Sequence, residues 1–208
     1  MRYTGPKVKL CRREGVNLFG TEKYDLSQNH RKPLGGKFGK TSGFGVQLRK
    51  KQMAKRMFGV TEKQFSAYFE KAAKMKGVTG DNMLSMLERR LDTVILRSSF
   101  ARTIMQARQF VGHAHFLVNG TKVNIPSYQI QVGDVIELRE KMKESPIYKG
   151  LITEFETFMK DNKTAEISRA KWMEVSPSKL TITVTALPSK EDFDRSIDIG
   201  KIIEFYSK

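Results

Sequence analysis

Residues 84–140 read LSMLERRLDTVILRSSFARTIMQARQFVGHAHFLVNGTKVNIPSYQIQVGDVIELRE, and a change of period inside this stretch decides the fold. Leu84, Leu87, Leu91, Val94 and Ile95 recur at helical spacing, with Arg89, Arg90 and Arg97 directed largely elsewhere. After the break at Ser98-Ser-Phe-Ala-Arg102, the run Thr103-Ile-Met-Gln106 has the form of a capping box, in which Thr and Gln satisfy backbone N–H groups at a helix start. The helix it opens carries Ile104, Ala107, Phe110 and Val111 on one side and exposes Arg102 and Arg108. From His115 the period falls to two. His115–Val118, Asn119-Gly120 and Thr121–Val123 form a hairpin signal, because a type I′ turn needs positive φ at both central residues. Pro126 ends that ladder, having no N–H to donate. Val132–Leu138 then supplies one more strand after the Gly133-Asp134 turn. The stretch reads as a small α+β unit of two helices plus short antiparallel strands.

Working outward, the charge is uneven. The 208 residues hold 38 Lys and Arg against 22 Asp and Glu, a formal net charge of +16. Residues 1–60 alone contain 15 Lys and Arg against Glu14, Glu22 and Asp25. So strong a bias raises the potential over a wide area and points to a polyanionic partner. Nucleic acid is favoured over membrane, because no basic stretch also carries a wide apolar face. No run approaches the ~20 apolar residues of a membrane span, and the first residues lack the apolar core of a secretory signal. Cys11 is the single cysteine, which excludes an internal disulfide and fits a reducing compartment, so the cytosol is expected.

Residues 30–45 are dense in glycine and read as a loop or extended arm in which Lys37 and Lys40 meet phosphates. Phe38 and Phe44 are better read as packing against the protein than as stacking on bases. No GxxxxGK[ST] spacing occurs, so nucleotide hydrolysis gains no support. From Gly45 a helix is expected with Val46, Leu48, Met53 and Met57 on its apolar side. Thr61-Glu-Lys-Gln64 is a second capping box, followed by Phe65, Phe69, Ala72 and Lys76 at helical steps and Gly77 as a stop, with Phe65, Tyr68 and Phe69 read as core. Near the far end, Leu151, Phe155, Phe158 and Met159 give a helix face, and Trp172 and Leu180–Thr185 suggest core and strand. The expected division is an arm over 1–45, a helical body with C-terminal strands over 46–87 and 151–208, and an RNA-binding unit over 88–150.

The runs Leu87-Glu-Arg-Arg-Leu-Asp-Thr-Val94, Ala107-Arg-Gln-Phe-Val-Gly-His113 and Val118-Asn-Gly-Thr-Lys-Val-Asn-Ile-Pro-Ser-Tyr128 resemble the αL RNA-binding module. That module also occurs in some pseudouridine synthases, bacterial tyrosyl-tRNA synthetases and a heat-shock RNA-binding protein. The flanks narrow the choice. Arg2-Tyr-Thr-Gly-Pro-Lys7, Arg12-Arg-Glu-Gly15, Gly45–Arg49, Trp172-Met-Glu-Val175 and Ile203–Lys208 make the whole chain similar to the bacterial-type family of the fourth small-subunit ribosomal protein. The resemblance implies a structural, non-catalytic constituent of the small subunit. It implies direct binding of small-subunit (16S) rRNA, nucleation of 5′-domain assembly and a contribution to translational accuracy. Protein five of the small subunit is implied as a neighbour, and mRNA, where it enters the ribosome, as a further partner. No membrane partner is implied. The expected location is the cytoplasmic ribosome, with an organellar ribosome left open. The expected fold is α+β, a mainly helical body with a basic N-terminal arm and the αL module.

A-form RNA presents phosphates and 2′-hydroxyls more readily than base edges, so basic side chains are the candidate contacts. They are Arg12, Arg13, Lys37, Lys40, Arg49, Lys50, Lys55 and Arg56, and within the module Arg89, Arg90, Arg102, Arg108, His113 and Lys122. Many family members hold a structural zinc in an N-terminal cysteine cluster. Here Cys11 stands without a partner thiolate, and four ligands are needed to close such a site, so no metal or other cofactor is expected. The rival reading is an RNA-modifying enzyme or a free RNA chaperone carrying an αL module. Arg90-Leu91-Asp92 superficially matches a pseudouridine-synthase triplet, but it lies within the module's own helix, where Asp92 is expected to pair with an arginine or to cap a contact. His113 and His115 alternate, as residues facing one side of a strand would, yet two ligands do not make a metal site.

Overall fold

A computed structural model describes residues 3–20, 22–24, 26, 42–150, 170–176 and 179–207. In chain order the elements are α1 (Lys7–Glu14), a 3-10 turn (Glu22–Tyr24), α2 (Gly43–Met57), α3 (Glu62–Lys74), α4 (Thr79–Glu88), α5 (Leu91–Arg97) and α6 (Ile104–Gly112). Then come β1 (Phe116–Val118), β2 (Thr121–Lys122), β3 (Val135–Leu138) and α7 (Glu140–Lys143). A helix α8 runs over 146–150 within the described residues, followed by β4 (Met173–Ser176), β5 (Thr181–Val184) and α9 (Ile199–Tyr206). The mixed α+β class expected from sequence is the class observed. No described helix is long and apolar enough to cross a membrane.

The chain forms two compact units, 1–84 with 194–208, and 85–193. The first is helical. Ser42 caps α2 by accepting the N–H of Gly45 at 3.1 Å, and Thr61 and Gln64 form the expected reciprocal box at the start of α3. Within the stretch read as an arm, α1 is a regular helix closed by Gly15 at φ 72°. Phe65 is fully buried, and Phe69 stacks on Tyr206 of α9 at 4.8 Å between ring centroids. Phe44 meets Phe205 of α9 at 5.3 Å, whereas Phe38 lies outside the described residues.

The buried face of α2 differs from the expected one. Gln47, Lys51, Met53 and Ala54 are buried, while Val46 is exposed. The cause is α9, which lays polar and aromatic partners along that side. The Nε2 of Gln47 donates to Glu204 at 2.8 Å, and the Lys51 ammonium lies 4.0 Å over the Phe205 ring.

The second unit is built on an antiparallel sheet of order β2-β1-β3-β5-β4. Asn119 and Gly120 take φ of 50° and 75°, as the two-residue turn between β1 and β2 requires. Phe116, Val118, Ile136, Leu138, Ile182 and Val184 alternate inward and pack against Leu91, Val94 and Ile95 of α5 and Ala107, Phe110 and Val111 of α6. Trp172 joins the same core. The face of Leu151, Phe155, Phe158 and Met159 lies outside the described residues.

Two features depart from the sequence reading. The helical run from Leu84 is two helices, because Arg90 is extended (φ −67°, ψ 139°) and bridges Gln129. The first N–H groups of α5 are satisfied by the loop opposite: Leu91 donates to the Tyr128 carbonyl at 2.9 Å and Asp92 to that of Pro126 at 3.1 Å. Those loop carbonyls explain how the break is tolerated without a side-chain cap. The second departure concerns the division expected from sequence. It joined 151–208 to the helical body, yet β5 pairs with β3, with Ile182 opposite Ile136, so β4 and β5 belong to the second unit. Only Asp194–Lys208 returns to the first.

Candidate nucleic-acid interface

Within the second unit three of the candidate cations, Arg89, Arg90 and Arg108, are held by internal acceptors. Arg89 donates its Nε to the Ile130 carbonyl at 2.8 Å. Asp92, with no exposed surface, receives Arg90 through Nε at 2.9 Å and Nη2 at 2.7 Å. The same carboxylate receives Arg108 through Nε at 3.0 Å and Nη2 at 2.6 Å. Arg108 keeps 34% of its side chain exposed, Arg90 only 2%. Arg90 is therefore corrected from a surface contact to an internal ion-pair partner: the extended residue between α4 and α5 turns its side chain inward. The Asp92–arginine pairing expected from sequence is present, and it engages the carboxylate that the enzyme reading would need as a nucleophile. Arg102 and Lys122 are exposed, and His113 is exposed at the C-terminal cap of α6 rather than on a strand.

His115 is partly buried, with Nδ1 2.8 Å from the Tyr148 hydroxyl and its ring stacked on Phe110. Burial, then the neighbouring His113 and Arg139, lower its pKa, which favours the neutral ring. Arg97 and Arg139 were not among the contacts expected from sequence. Arg97 forks onto Glu88 at 2.9 and 2.7 Å, and Arg139 donates to the Ala114 carbonyl at 3.1 Å.

In the first unit, Arg12 and Arg13 lie in the last turn of α1, where cations suit the helix dipole; Arg13 is exposed and Arg12 half-buried. Arg49 and Arg56 of α2 both donate to Glu14, and Lys50 is half-buried. Lys51 and Lys55 donate to Glu62 at 2.8 and 2.9 Å, and the Tyr206 hydroxyl adds a third bond at 2.8 Å. Burial pushes the Glu62 carboxyl up, but these bonds outweigh it and hold the pKa at about 2. Lys37 and Lys40 lie outside the described residues. Glu14 was missed from sequence, although a lone acid after Arg12-Arg13 is the kind of signal that marks a shared partner.

Residues 2–88 match the family described as ribosomal protein S4/S9 N-terminal domain, and residues 89–136 match the S4 domain. The chain is 46% identical over 217 residues to small ribosomal subunit protein uS4 of Caldicellulosiruptor saccharolyticus, with all of this chain and 99% of that protein covered. The chain belongs to the uS4 family. The uS4 proteins of Heliobacterium modesticaldum and Hahella chejuensis are each 43% identical, over 215 and 213 residues, again covering all of this chain and 99% of theirs. The boundary between the two family matches falls at the α4–α5 break, and β4 and β5, beyond the S4-domain match, complete its sheet.

The zinc implied for many uS4 relatives does not fit the residues present. Cys11 is the fully buried residue of α1, and burial pushes its thiol pKa up, away from the thiolate a metal needs. Among the described residues no cluster of three or more His, Cys, Asp or Glu can hold a metal ion.

Proposed function

We propose that this uS4-family chain is a non-catalytic constituent of the small ribosomal subunit that binds small-subunit (16S) rRNA directly and acts in subunit assembly. The observation that carries the reading is the end-to-end similarity to uS4 proteins at 43–46% identity. A net charge of +16 supports it, as do cations tethered by internal acceptors, which meet an anionic backbone with less loss of side-chain entropy. Arg13, Arg49, Lys50, Arg102, Arg108 and Lys122 are the residues proposed for phosphate contact, with Arg12, Lys55, Arg56, Arg89 and His113 at the margins. Lys37 and Lys40 extend the proposal to the glycine-rich segment. Nucleation of the 5′ domain, a contribution to decoding accuracy, contact with protein five and proximity to incoming mRNA belong to the same proposal. It places the chain on the cytoplasmic ribosome, an organellar ribosome being the other setting for the same chemistry.

Chemical footprinting on protein-free small-subunit rRNA tests this reading. Protection confined to a 5′-domain helical junction, fading as salt rises, is the expected result. Diffuse protection with no preferred site would overturn it.

A further inference from the structure

We propose that Glu14 is a positioning residue for RNA: its buried carboxylate gathers Arg49 and Arg56 from α2 beside Arg13 of α1, and this knot of guanidiniums takes a phosphodiester of the bound strand. The inference rests on the rRNA reading and deepens one part of it.

Glu14 ends α1, and its side chain is only 2% exposed. A carboxylate in the last turn opposes the helix dipole, and burying it adds a desolvation cost. Arg49 and Arg56 offset both. One oxygen, Oε1, accepts Nη1 of Arg49 at 3.2 Å and Nη1 of Arg56 in a shorter contact. The two arginines stand seven residues apart on α2, two helical turns, and so share one face. Without the acid, like charges so close would splay apart. Burial pulls the Arg56 pKa below its ordinary value, Glu14 opposes that shift, and Arg49 and then Arg13 add to it. The knot opens to solvent at Arg49, which is 42% exposed, and at the exposed Arg13. Three guanidiniums against one carboxylate leave positive charge in excess, in planar donors that match a phosphate.

Glu14→Gln raises the net charge by one while keeping the side-chain shape. If the acid merely repelled RNA, the variant would bind more tightly; positioning predicts the opposite sign. Filter retention with the full chain should compare a small-subunit rRNA transcript with mixed-sequence RNA of equal length, over ~50 to ~200 mM salt. We expect Glu14→Gln to bind the transcript about tenfold more weakly, the scale of one charge-assisted hydrogen bond. Binding to mixed-sequence RNA should be unchanged or tighter. In an Arg49→Gln, Arg56→Gln background the same change should have no effect, because Glu14 acts through those two side chains. Equal or tighter transcript binding by Glu14→Gln overturns the proposal. So does an equal loss in both backgrounds, which marks a purely structural role even if the variant is less stable. A wild-type chain with no preference for the transcript overturns the rRNA reading itself, and the positioning role with it.

Discussion

Asp92 holds Arg108 from 16 residues away, taking its Nε at 3.0 Å and its Nη2 at 2.6 Å while also receiving Arg90. One carboxylate thus ties the start of α5 to the middle of α6 and neutralises a guanidinium that water does not reach. Removing one partner of such a group leaves the other charged and buried. We expect Asp92→Ala to cost about 3–5 kcal/mol. Urea unfolding should show a lower midpoint with little change in slope, and a loss below ~1 kcal/mol, the scale of an exposed ion pair, would contradict the buried-pair account.

Surface and interior arginines should separate in salt titrations. Arg102→Gln and Lys122→Gln each remove one exposed cation, and each should flatten the dependence of log affinity on log salt by about 0.7–0.9. Arg90→Gln should leave that slope unchanged and instead lower stability, since its partner Asp92 is inside the fold.

Glu62 predicts an acid limb in stability. Its folded pKa, about 2, lies below the ordinary 4.5, so its contribution is present above pH 4.5 and lost as pH falls towards 2. With nearly half the side chain exposed, solvent screening keeps the contribution small. Acid titration followed by circular dichroism should therefore show wild type and Glu62→Gln converging between pH 4.5 and 2. Curves that stay parallel through that window would count against the Lys51–Glu62–Lys55 cluster.

Ile182 tests whether the sheet is one cooperative object. It is fully buried opposite Ile136, and Ile182→Ala should cost about 2–5 kcal/mol. Hydrogen exchange should speed up in β1 and β3 as well as in β5. Exchange confined to residues 173–184 would show that the outer ribbon unfolds by itself.

Local chemistry was the legible part of the sequence. The Asn119-Gly120 turn and the Thr61–Gln64 box depend on neighbours a few residues apart, and both form as expected. Thr103 does accept the Gln106 N–H, though the Gln106 side chain reaches the Arg102 amide instead of the Thr103 amide. Partners distant in sequence were the illegible part. The face of α2 was misjudged because Glu204 and Phe205 make Gln47 and Lys51 tolerable inside. Arg90 looked like surface because helical spacing carries no trace of the loop carbonyls that break the helix after Glu88. The pairing of β5 with β3 was hidden because alternation within each strand says nothing of which strand lies beside it.

Because the chain leaves the first unit at Leu84 and rejoins it at Asp194, α2, complete at Met57, waits for α9 until synthesis reaches Ile199. At about 5–20 residues per second of synthesis, that interval is roughly seven to thirty seconds. Throughout it, the α2 side that α9 later covers stands open on the nascent chain, so translation that stalls before residue 199 yields a product whose first unit is unfinished. Completion of α9, not the appearance of the basic residues before α2, sets the moment at which this unit matures.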